Sequence, residues 1–167
     1  NLTAGVSGVR RITLSDAGDQ DCQIAAEVTD WDPTRFMEYK AAKRAARFSQ
    51  FAVAAASQAV EHSGLKIDDS NRDDIAIVLN TGGGGVDIIA DGEKTYLEKG
   101  ASRVGPLTVP GYAPNMASCQ VAINLGVRGP TITSVAACAA GIFAFIEAKR
   151  LIDLGEADVV ITGGAEA

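Results

Sequence analysis

Two short apolar runs that end directly in glycine constrain the fold of this chain more than any other feature. The run Ile75–Leu79 leads into Thr81–Gly85, and the run Val159–Thr162 leads into Gly163 and Gly164. Short apolar runs rich in β-branched residues and bounded by turn residues are typical of buried strands. Because helical patterns lie between these runs, the sequence predicts an α/β fold with a mostly parallel sheet that is covered by helices.

The remaining elements are predicted from apolar spacing and from glycines at helix ends. The opening residues resemble the last turn of a helix, and one short strand is expected at residues 24–28. A further strand is expected from Thr131 to Ala137. The predicted helices are a basic helix from about Pro33, a small-faced helix through Phe48 that stops at Gly64, and helices at 86–97, from Asn115 to about Leu125, and 139–154.

Length, charge and cysteine spacing exclude several classes of protein. A chain of 167 residues suits one domain, and a net charge of -6 with 15 Lys and Arg residues disfavours nucleic-acid binding. No apolar run reaches the roughly 20 residues of a membrane span, and no signal peptide is recognisable, so a cytoplasmic protein is expected. Cys22, Cys119 and Cys138 form no Cys-x-x-Cys pair, so neither a disulfide framework nor a metal site is indicated.

Cys138 is the candidate for chemistry. It lies between Ala137 and Ala139, where a predicted strand turns into a helix. Unpaired N–H groups and the helix dipole at such a turn stabilise a thiolate, and small neighbours leave room for a substrate. The uncharged start of the helix, residues 142–146, predicts that the helix is buried and that the thiol lies at the bottom of a pocket. The alternative from local sequence is a small buried cysteine that only fills space.

Five segments carry a resemblance to a known family. Gly129–Gly141 resembles the active-site signature of β-ketoacyl-acyl-carrier-protein synthases, and Gly155–Glu166 is similar to the strand that follows it there. Arg47–Phe51, Thr81–Gly85 and Val109–Met116 occur in the family's order. The resemblance covers practically the whole chain and is greatest to the elongating synthases of the dissociated type. It implies the amino-terminal half of a thiolase-like layered fold, with residues 1–167 as one domain that is incomplete at both ends.

The resemblance also implies a decarboxylative Claisen condensation. Cys138 would take an acyl group from a phosphopantetheine thioester, and its backbone N–H would form half of an oxyanion hole. No bound cofactor is implied, because the phosphopantetheine arm belongs to the carrier protein. The catalytic histidines and a lysine come from the carboxyl-terminal half in this family, and His62 matches neither histidine. The chain alone is therefore expected not to complete the reaction.

Further site residues and partners follow from the same resemblance. The acyl pocket would include Gly83, where many elongating synthases have a bulky residue, and also Gly111, Tyr112, Ala113, Ala137 and Ala139. Exposed basic residues would meet an acidic acyl carrier protein, and these are Lys40, Lys43, Arg44 and Arg103, although a solvated helix face is the plainer interpretation. A homodimer is implied, with the strand from Thr131 near its interface. The glycine run matches no phosphate-binding loop.

Two rival interpretations share the fold. A thiolase or a starter-type synthase would use coenzyme A, and the basic helix weakly favours a carrier protein instead. A chain-length-factor-like partner subunit would shape the pocket without a nucleophile, and the presence of Cys138 counts against it. The sequence leaves the acyl chain length and the choice between fatty acid and polyketide open, as it does the effect of Ala136 and Ala137 before the cysteine.

Overall fold

The computed structural model describes residues 2–167, which divide into two units at Asp32 and Pro33. The first unit begins with a 3₁₀ turn at Leu2–Ala4 and contains two short antiparallel strands, β1 (Arg10–Arg11) and β2 (Ile24–Ala25). The expected strand at residues 24–28 is therefore present but shorter, and its pairing partner was not predicted. The helical turn expected at the start is a 3₁₀ turn, and Asn1 lies outside the described residues.

The second unit, Pro33–Ala167, is described throughout and contains the alternating elements that the sequence predicts. A 3₁₀ turn at Pro33–Arg35 comes first, and another at Ala101–Arg103 lies between the third and fourth helices. The helices and strands follow in chain order: α1 (Tyr39–Ala42), α2 (Arg47–Ser63), β3 (Ile75–Asn80), α3 (Val86–Lys99), α4 (Thr108–Tyr112), α5 (Met116–Leu125), β4 (Thr131–Ile132), α6 (Ala140–Asp153) and β5 (Val159–Gly164).

A parallel sheet with the order β4-β3-β5 forms the centre of this unit. Every residue of β3 is buried, since helices cover both of its faces. Ile75, Ile77 and Leu79 pack with α2 and α5, whereas Ala76 and Val78 pack with α6. This alternation follows from the two-residue period of a strand. The structure confirms an α/β fold with a helix-covered parallel sheet.

The single basic helix expected from Pro33 is wrong. The chain forms the four-residue α1, leaves the helical path, and begins α2 at Arg47, with Ala46 extended at φ -60° and ψ 155°. The Gln50 side chain stabilises this break, because its Nε2 donates to the carbonyl oxygens of Ala42 and Ala45 at 3.0 and 3.1 Å. Ala42 and Ala46 are both buried in the core, so the break brings two small side chains inward.

The strand expected from Thr131 to Ala137 is also shorter than predicted. Ladder pairing ends at Ile132, and only an isolated bridge between Thr81 and Val135 follows. The Ser134 N–H donates to the Asn80 side-chain oxygen at 2.7 Å. A side chain thus replaces a ladder partner, and the segment leaves regular strand geometry before it reaches the cysteine.

Helix α6 presents a narrower buried face than the sequence suggests. Its buried residues are Ala140, Ala144, Ala148 and Leu151, at helical spacing. Residues 142, 143, 145 and 146 are exposed, including Ile142 at 74% and Phe145 at 62%. The expectation that the whole first half of α6 is buried is therefore wrong in this chain, because in that half it is the alanines, and not the larger apolar side chains, that are buried.

Helix α5 begins where the sequence predicts, but not through the expected cap. Asn115 occupies the N-cap position and makes no side-chain bond to the backbone there. Its Nδ2 instead approaches the sulfur of Cys119 at 3.7 Å. The glycine stops are confirmed in α2 and beyond α6, where Gly64 and Gly155 have φ values of +72° and +69°.

Candidate active site

A cavity of about 540 Å³ opens at the carboxyl ends of β3 and β5, beside the start of α6. Ligand sites in parallel α/β sheets commonly lie at this edge, because the loops that follow the strands meet there. Cys138 lines the cavity and is exposed. The other lining residues are Asn80, Thr81, Gly82, Ala137, Ala140, Gly141, Gly164, Ala165 and Glu166.

The turn that carries Cys138 has an unusual backbone. Ala137 has a φ of +46°, and it is the one non-glycine residue with positive φ among residues 2–167. Such a conformation costs an L-residue about 1–2 kcal/mol. Hydrogen bonds to Thr81 hold the approach to the turn, from the Thr81 N–H to the Ser134 oxygen and from the Ala136 N–H to the Thr81 oxygen, both at 3.2 Å. The turn therefore has the sharp strand-to-helix geometry of a nucleophile elbow.

Immediately after this turn the chain enters a helix. Ala137–Ala139 form one 3₁₀ turn that continues into α6 at Ala140. Cys138 thus lies in the first turn, just before Ala139 and Ala140, whose N–H groups donate to the Ala136 oxygen at 3.0 Å and to the Ala137 oxygen. A residue at the start of a helix lies near the positive end of the helix dipole.

Glu166 joins the strand ends on the opposite side of the cavity. One carboxylate oxygen, Oε2, accepts hydrogen bonds from the Gly82 N–H at 2.6 Å, the Gly83 N–H at 3.0 Å and the Thr81 hydroxyl at 2.9 Å. The Thr81 hydroxyl oxygen in turn accepts from the Gly84 N–H at 3.2 Å. The glycine run is consequently held in one conformation by side chains from its own end and from the end of β5.

Close backbone approach explains two glycines at this edge. A Cβ on Gly82 would lie 2.7 Å from Glu166 Oε2 and 3.6 Å from the Ala137 Cα. A Cβ on Gly164 would lie 3.1 Å from the Gly141 Cα. Both positions need the space that glycine leaves, and both bring backbone close to the cysteine turn.

The second side of the turn is held by buried polar side chains. Asn80 is fully buried, and its Nδ2 donates to Glu147 Oε2 at 3.0 Å and to the Ala140 oxygen at 3.3 Å. The Ser134 hydroxyl donates to Glu147 Oε1 at 2.6 Å. These bonds satisfy polar groups that would otherwise be costly to bury.

The structure brings only part of the predicted acyl pocket to Cys138. Ala137 lines the cavity, and Ala139 is exposed in the same turn. Gly83, Gly111, Tyr112 and Ala113 do not line it. Gly83 belongs to the loop that Glu166 holds. On the other side of that loop, the Gly85 N–H donates to the backbone carbonyl oxygen of Tyr112 at 3.0 Å.

Tyr112 lines a different cavity. This apolar cavity of about 370 Å³ lies between α3 and α4, with Ile89, Tyr96, Val104 and Thr108 among its lining residues. Gly111 is buried in α4, and a Cβ there would lie 3.3 Å from the Ile88 side chain. The predicted pocket residues are therefore dispersed: Ala137 and Ala139 lie at the cysteine, Gly83 in the loop that Glu166 holds, and Gly111 and Tyr112 at the α3–α4 contact.

The predicted basic residues are exposed. Lys40 lies in α1, Lys43 and Arg44 follow it, and Arg103 ends the 3₁₀ turn Ala101–Arg103. Within residues 2–167 none of the four is in an ion pair. Arg44 lines a cavity of about 240 Å³ together with Val104, the residue after Arg103, so the two basic segments lie on one side of the unit.

The other two cysteines and the candidate metal ligands lie elsewhere. Cys22 is exposed in the first unit, and Cys119 is half-buried in α5. Among the residues that the structure describes, no three His, Cys, Asp or Glu side chains are grouped so that they could hold a metal. No helix in the same residues is both long enough and apolar enough to cross a bilayer.

The sequence analysis did not predict three side chains at this site, those of Asn80, Glu147 and Glu166. Asn80 comes directly after the predicted strand Ile75–Leu79, and Glu166 comes four residues after the predicted strand Val159–Thr162. Parallel strands place the side chains that follow them at the site edge. That position was an available signal for both. Glu147 had none, since its role depends on which face of α6 meets β3.

Comparisons with known proteins agree with this geometry. Residues 1–167 match the family model described as "Beta-ketoacyl synthase, N-terminal domain". A 3-oxoacyl-(acyl-carrier-protein) synthase 2 of Synechocystis sp. is 44% identical over 166 residues, which are 99% of this chain and 40% of that protein. The enzyme of the same name from Staphylococcus aureus is 37% identical over 167 residues, all of this chain and 40% of the relative.

Solved structures give the same result for the fold. The chain is similar to a structure described as the ishigamide ketosynthase/chain length factor, with a TM-score of 0.89 and 32% identity over 99% of this chain and 42% of the other. A β-ketoacyl synthase from Burkholderia phymatum has a TM-score of 0.80 at 24% identity, over 99% of this chain and 41% of the other, which supports the fold alone. The chain spans about 40% of the length of the curated relatives that it matches.

Proposed function

The chain belongs to the β-ketoacyl synthase family, and on that premise we propose that it supplies the acyl-accepting thiol, Cys138, for a decarboxylative Claisen condensation in fatty-acid or polyketide elongation. The observation that carries this proposal is the position of Cys138. Its exposed thiol lies on a strained strand-to-helix turn and lines a cavity at the carboxyl edge of the sheet. A cysteine that only filled space would be enclosed by apolar side chains.

The first half-reaction would use this chain's own groups. The Cys138 thiolate attacks the carbonyl carbon of an acyl thioester, a new carbon–sulfur bond forms, and the pantetheine thiolate leaves and takes up a proton. The Cys138 backbone N–H would donate to the carbonyl oxygen while that oxygen carries negative charge. Ala137, Ala139 and Gly141 leave the approach to the sulfur free of bulky side chains.

The second half-reaction would form the new carbon–carbon bond. A malonyl thioester loses carbon dioxide, and the resulting carbanion attacks the acyl group on Cys138. The carbon–sulfur bond then breaks and returns the thiolate to Cys138. We assign no residue of this chain to the decarboxylation, and residues 1–167 would act as the thiol-bearing amino-terminal domain of a cytoplasmic acyltransferase.

The proposed substrate carrier is an acyl carrier protein with a phosphopantetheine arm. Lys40, Lys43, Arg44 and Arg103 are exposed, so they are available to steer an acidic partner. Gly83, Gly111, Tyr112 and Ala113 would contact the acyl chain beyond the sulfur. A homodimer with the β4 segment at its interface is part of the same proposal, since the outer side of β4 is an edge of the sheet.

Mapping the acyl adduct tests the proposal directly. Purified protein is incubated with an acyl-pantetheine thioester, and the modified peptide is identified by mass spectrometry. We expect one acyl group per chain, on Cys138, that neutral hydroxylamine removes because it cleaves thioesters, and no acyl group at this position in Cys138→Ala. An adduct on Cys22 or Cys119 with Cys138 unmodified would refute the assignment.

Comparing carriers separates the proposal from its rivals. A starter-type or thiolase-like enzyme would take the acyl group as readily from coenzyme A, and a chain-length-factor-like subunit would take none. We expect faster acylation from the carrier protein than from coenzyme A. Lys43→Glu should slow the carrier-protein reaction at low salt and leave the coenzyme A reaction unchanged. Lys66→Glu, an exposed control distant in sequence, should change neither reaction.

A further inference from the structure

The end of the buried strand β3 carries a polar side chain. Asn80 is the last residue of β3 and has no exposed surface. Its Oδ1 accepts from the Ser134 N–H at 2.7 Å, and its Nδ2 donates to the Ala140 oxygen at 3.3 Å. Ser134 lies four residues before Cys138 and Ala140 lies two residues after it. One buried amide thus bonds to the backbone on both sides of the cysteine turn.

Glu147 completes this group of residues. Its Oε2 accepts from Asn80 Nδ2 at 3.0 Å, and its Oε1 accepts from the Ser134 hydroxyl at 2.6 Å. Asn80, Ser134 and Glu147 therefore form a closed ring of hydrogen bonds between β3, the segment before the turn and α6. We refer to these three residues as the clamp.

We propose that Asn80 and Glu147 are positioning residues that hold the Cys138 turn in its reactive geometry. This inference rests on the proposed role of Cys138 as the acyl-accepting thiol. The turn needs such support because Ala137 has a φ of +46°, a conformation that persists only when its surroundings enforce it. The backbone bonds to Thr81 fix the approach to the turn, and the clamp fixes its start and its exit.

While Glu147 is present, the chemistry of the clamp favours an amide at position 80. The Ser134 N–H needs an acceptor, whereas the Ala140 oxygen and the Glu147 carboxylate both need a donor. Asparagine offers one acceptor and two donor hydrogens in a fixed plane. Aspartate has nearly the same shape but would place a second carboxylate oxygen against Glu147, and like charges at this distance repel.

A charge-swap experiment tests the clamp. The variants are Asn80→Asp, Glu147→Gln and the double variant that combines them. In the double variant, the amide introduced at position 147 can donate to the carboxylate introduced at position 80 and can still accept from the Ser134 hydroxyl. Asn124→Asp is the matched control, because Asn124 is exposed in α5 and makes only a 3.5 Å side-chain bond to Ser57. The readouts are the acylation rate constant and final stoichiometry of Cys138, and the ratio of iodoacetamide alkylation at Cys138 to that at Cys22, each mapped by mass spectrometry.

The two readouts distinguish positioning from general loss of structure. We expect Asn80→Asp to lower the acylation rate constant by about 10- to 100-fold, a loss typical of a misplaced reacting group, while the final stoichiometry stays at one per chain. The double variant should recover most of that loss, and Asn124→Asp should match wild type. A purely structural defect would instead lower the stoichiometry and the unfolding temperature together.

Two results would overturn the inference. One is an acylation rate constant for Asn80→Asp equal to that of wild type. The other is a double variant as slow as, or slower than, the single Asn80→Asp variant. Failure of the proposed function has a different signature, since wild type would then take up no acyl group at Cys138. The ratio of Cys138 to Cys22 alkylation would still report in that case whether the clamp positions the thiol.

Discussion

The Glu166 carboxylate lies 2.6 Å from the Gly82 N–H, although 84 residues separate the two in sequence. The same oxygen also accepts from the Gly83 N–H and the Thr81 hydroxyl. Charge-assisted hydrogen bonds of this kind are about twice as strong as neutral ones. The contact fixes the glycine run against the turn that carries Cys138, because Gly82 approaches the Ala137 Cα.

Removing the Glu166 carboxylate should release the glycine run. In Glu166→Ala the Gly82 and Gly83 N–H groups lose their acceptor, so we expect their amide hydrogens to exchange with solvent about tenfold faster or more, since each lost bond is worth roughly 1.5–3 kcal/mol. Glu166→Gln retains an acceptor oxygen and should give a smaller effect.

Amide exchange measured by NMR checks this expectation. Glu98→Ala is a suitable control, because Glu98 is exposed in α3 and its removal should leave the Gly82 and Gly83 rates unchanged. Equal exchange at these two glycines in wild type and Glu166→Ala would contradict the role assigned to the carboxylate.

Two glycines that touch each other should respond differently to alanine. A Cβ on Gly164 would lie 3.1 Å from the Gly141 Cα and 3.2 Å from its nitrogen, whereas a Cβ on Gly141 would meet nothing within 4 Å. Gly164→Ala should lower the free energy of unfolding by about 1–3 kcal/mol through overpacking. Gly141→Ala should leave it unchanged or raise it by up to about 1 kcal/mol, because alanine favours the first turn of α6.

Chemical denaturation of the two variants measures this difference. The pair serves as its own control, since the substitutions are identical and the sites adjoin. Equal destabilisation by both would mean that the contact between β5 and α6 is not what requires glycine at position 164.

The sequence was sufficient for the elements that depend on local patterns. The apolar period places β3 and β5, and the glycines at positions 64 and 155 end helices in the left-handed conformation that glycine favours. The position of Cys138 at the start of α6 was also predictable, because a turn with small neighbours before a helix is a local feature. The family resemblance is confirmed over residues 1–167.

The parts that could not be predicted depend on contacts between distant residues. The break between α1 and α2 depends on Gln50 bonding to the carbonyls of Ala42 and Ala45. The early end of β4 depends on Asn80, which is 54 residues from Ser134. Helical periodicity in α6 also could not reveal that Ala140 and Ala144 are buried in its first half, whereas Ile142 and Phe145 are exposed.

Ser118 should contribute to stability through a buried hydroxyl. It is fully buried in α5, and its hydroxyl interacts with the Leu79 N–H and oxygen, the Ile132 oxygen at 3.0 Å and the Thr133 hydroxyl at 2.6 Å. Ser118→Ala would leave these partners without the hydroxyl at a buried position. We expect a loss of about 1–3 kcal/mol in the free energy of unfolding.

Thermal and denaturant unfolding would measure the loss. Ser102→Ala, in the exposed 3₁₀ turn Ala101–Arg103, should change stability by less than about 0.5 kcal/mol. A Ser118→Ala protein as stable as the Ser102→Ala control would show that the buried hydroxyl is dispensable.

Glu27 should make the stability of the first unit depend on pH. Its carboxylate accepts from the Leu14 N–H at 2.9 Å and from the Thr13 N–H and hydroxyl. The hydrogen bond from Leu14 is the largest cause that lowers the pKa of Glu27 below the ordinary 4.5. Desolvation raises this pKa, whereas the bonds from Thr13 and the charge of Arg10 lower it further. A carboxyl group with a lowered pKa in the folded state stabilises that state above its unfolded pKa, and the contribution disappears as the pH falls through the folded value.

Hydrogen exchange of the Thr13 and Leu14 amides as a function of pH tests this sign. At neutral pH, Glu27→Gln should exchange faster than wild type at both amides, because the neutral side chain is a weaker acceptor. The difference should begin to shrink below about pH 4.5, where the unfolded carboxyl takes up a proton, and should be smallest once the folded carboxyl is protonated too. Asp21→Asn, which removes one exposed charge from the same unit, should match wild type at every pH. A Glu27→Gln difference that grew as the pH fell would mean that the ionised carboxylate is not the stabilising form.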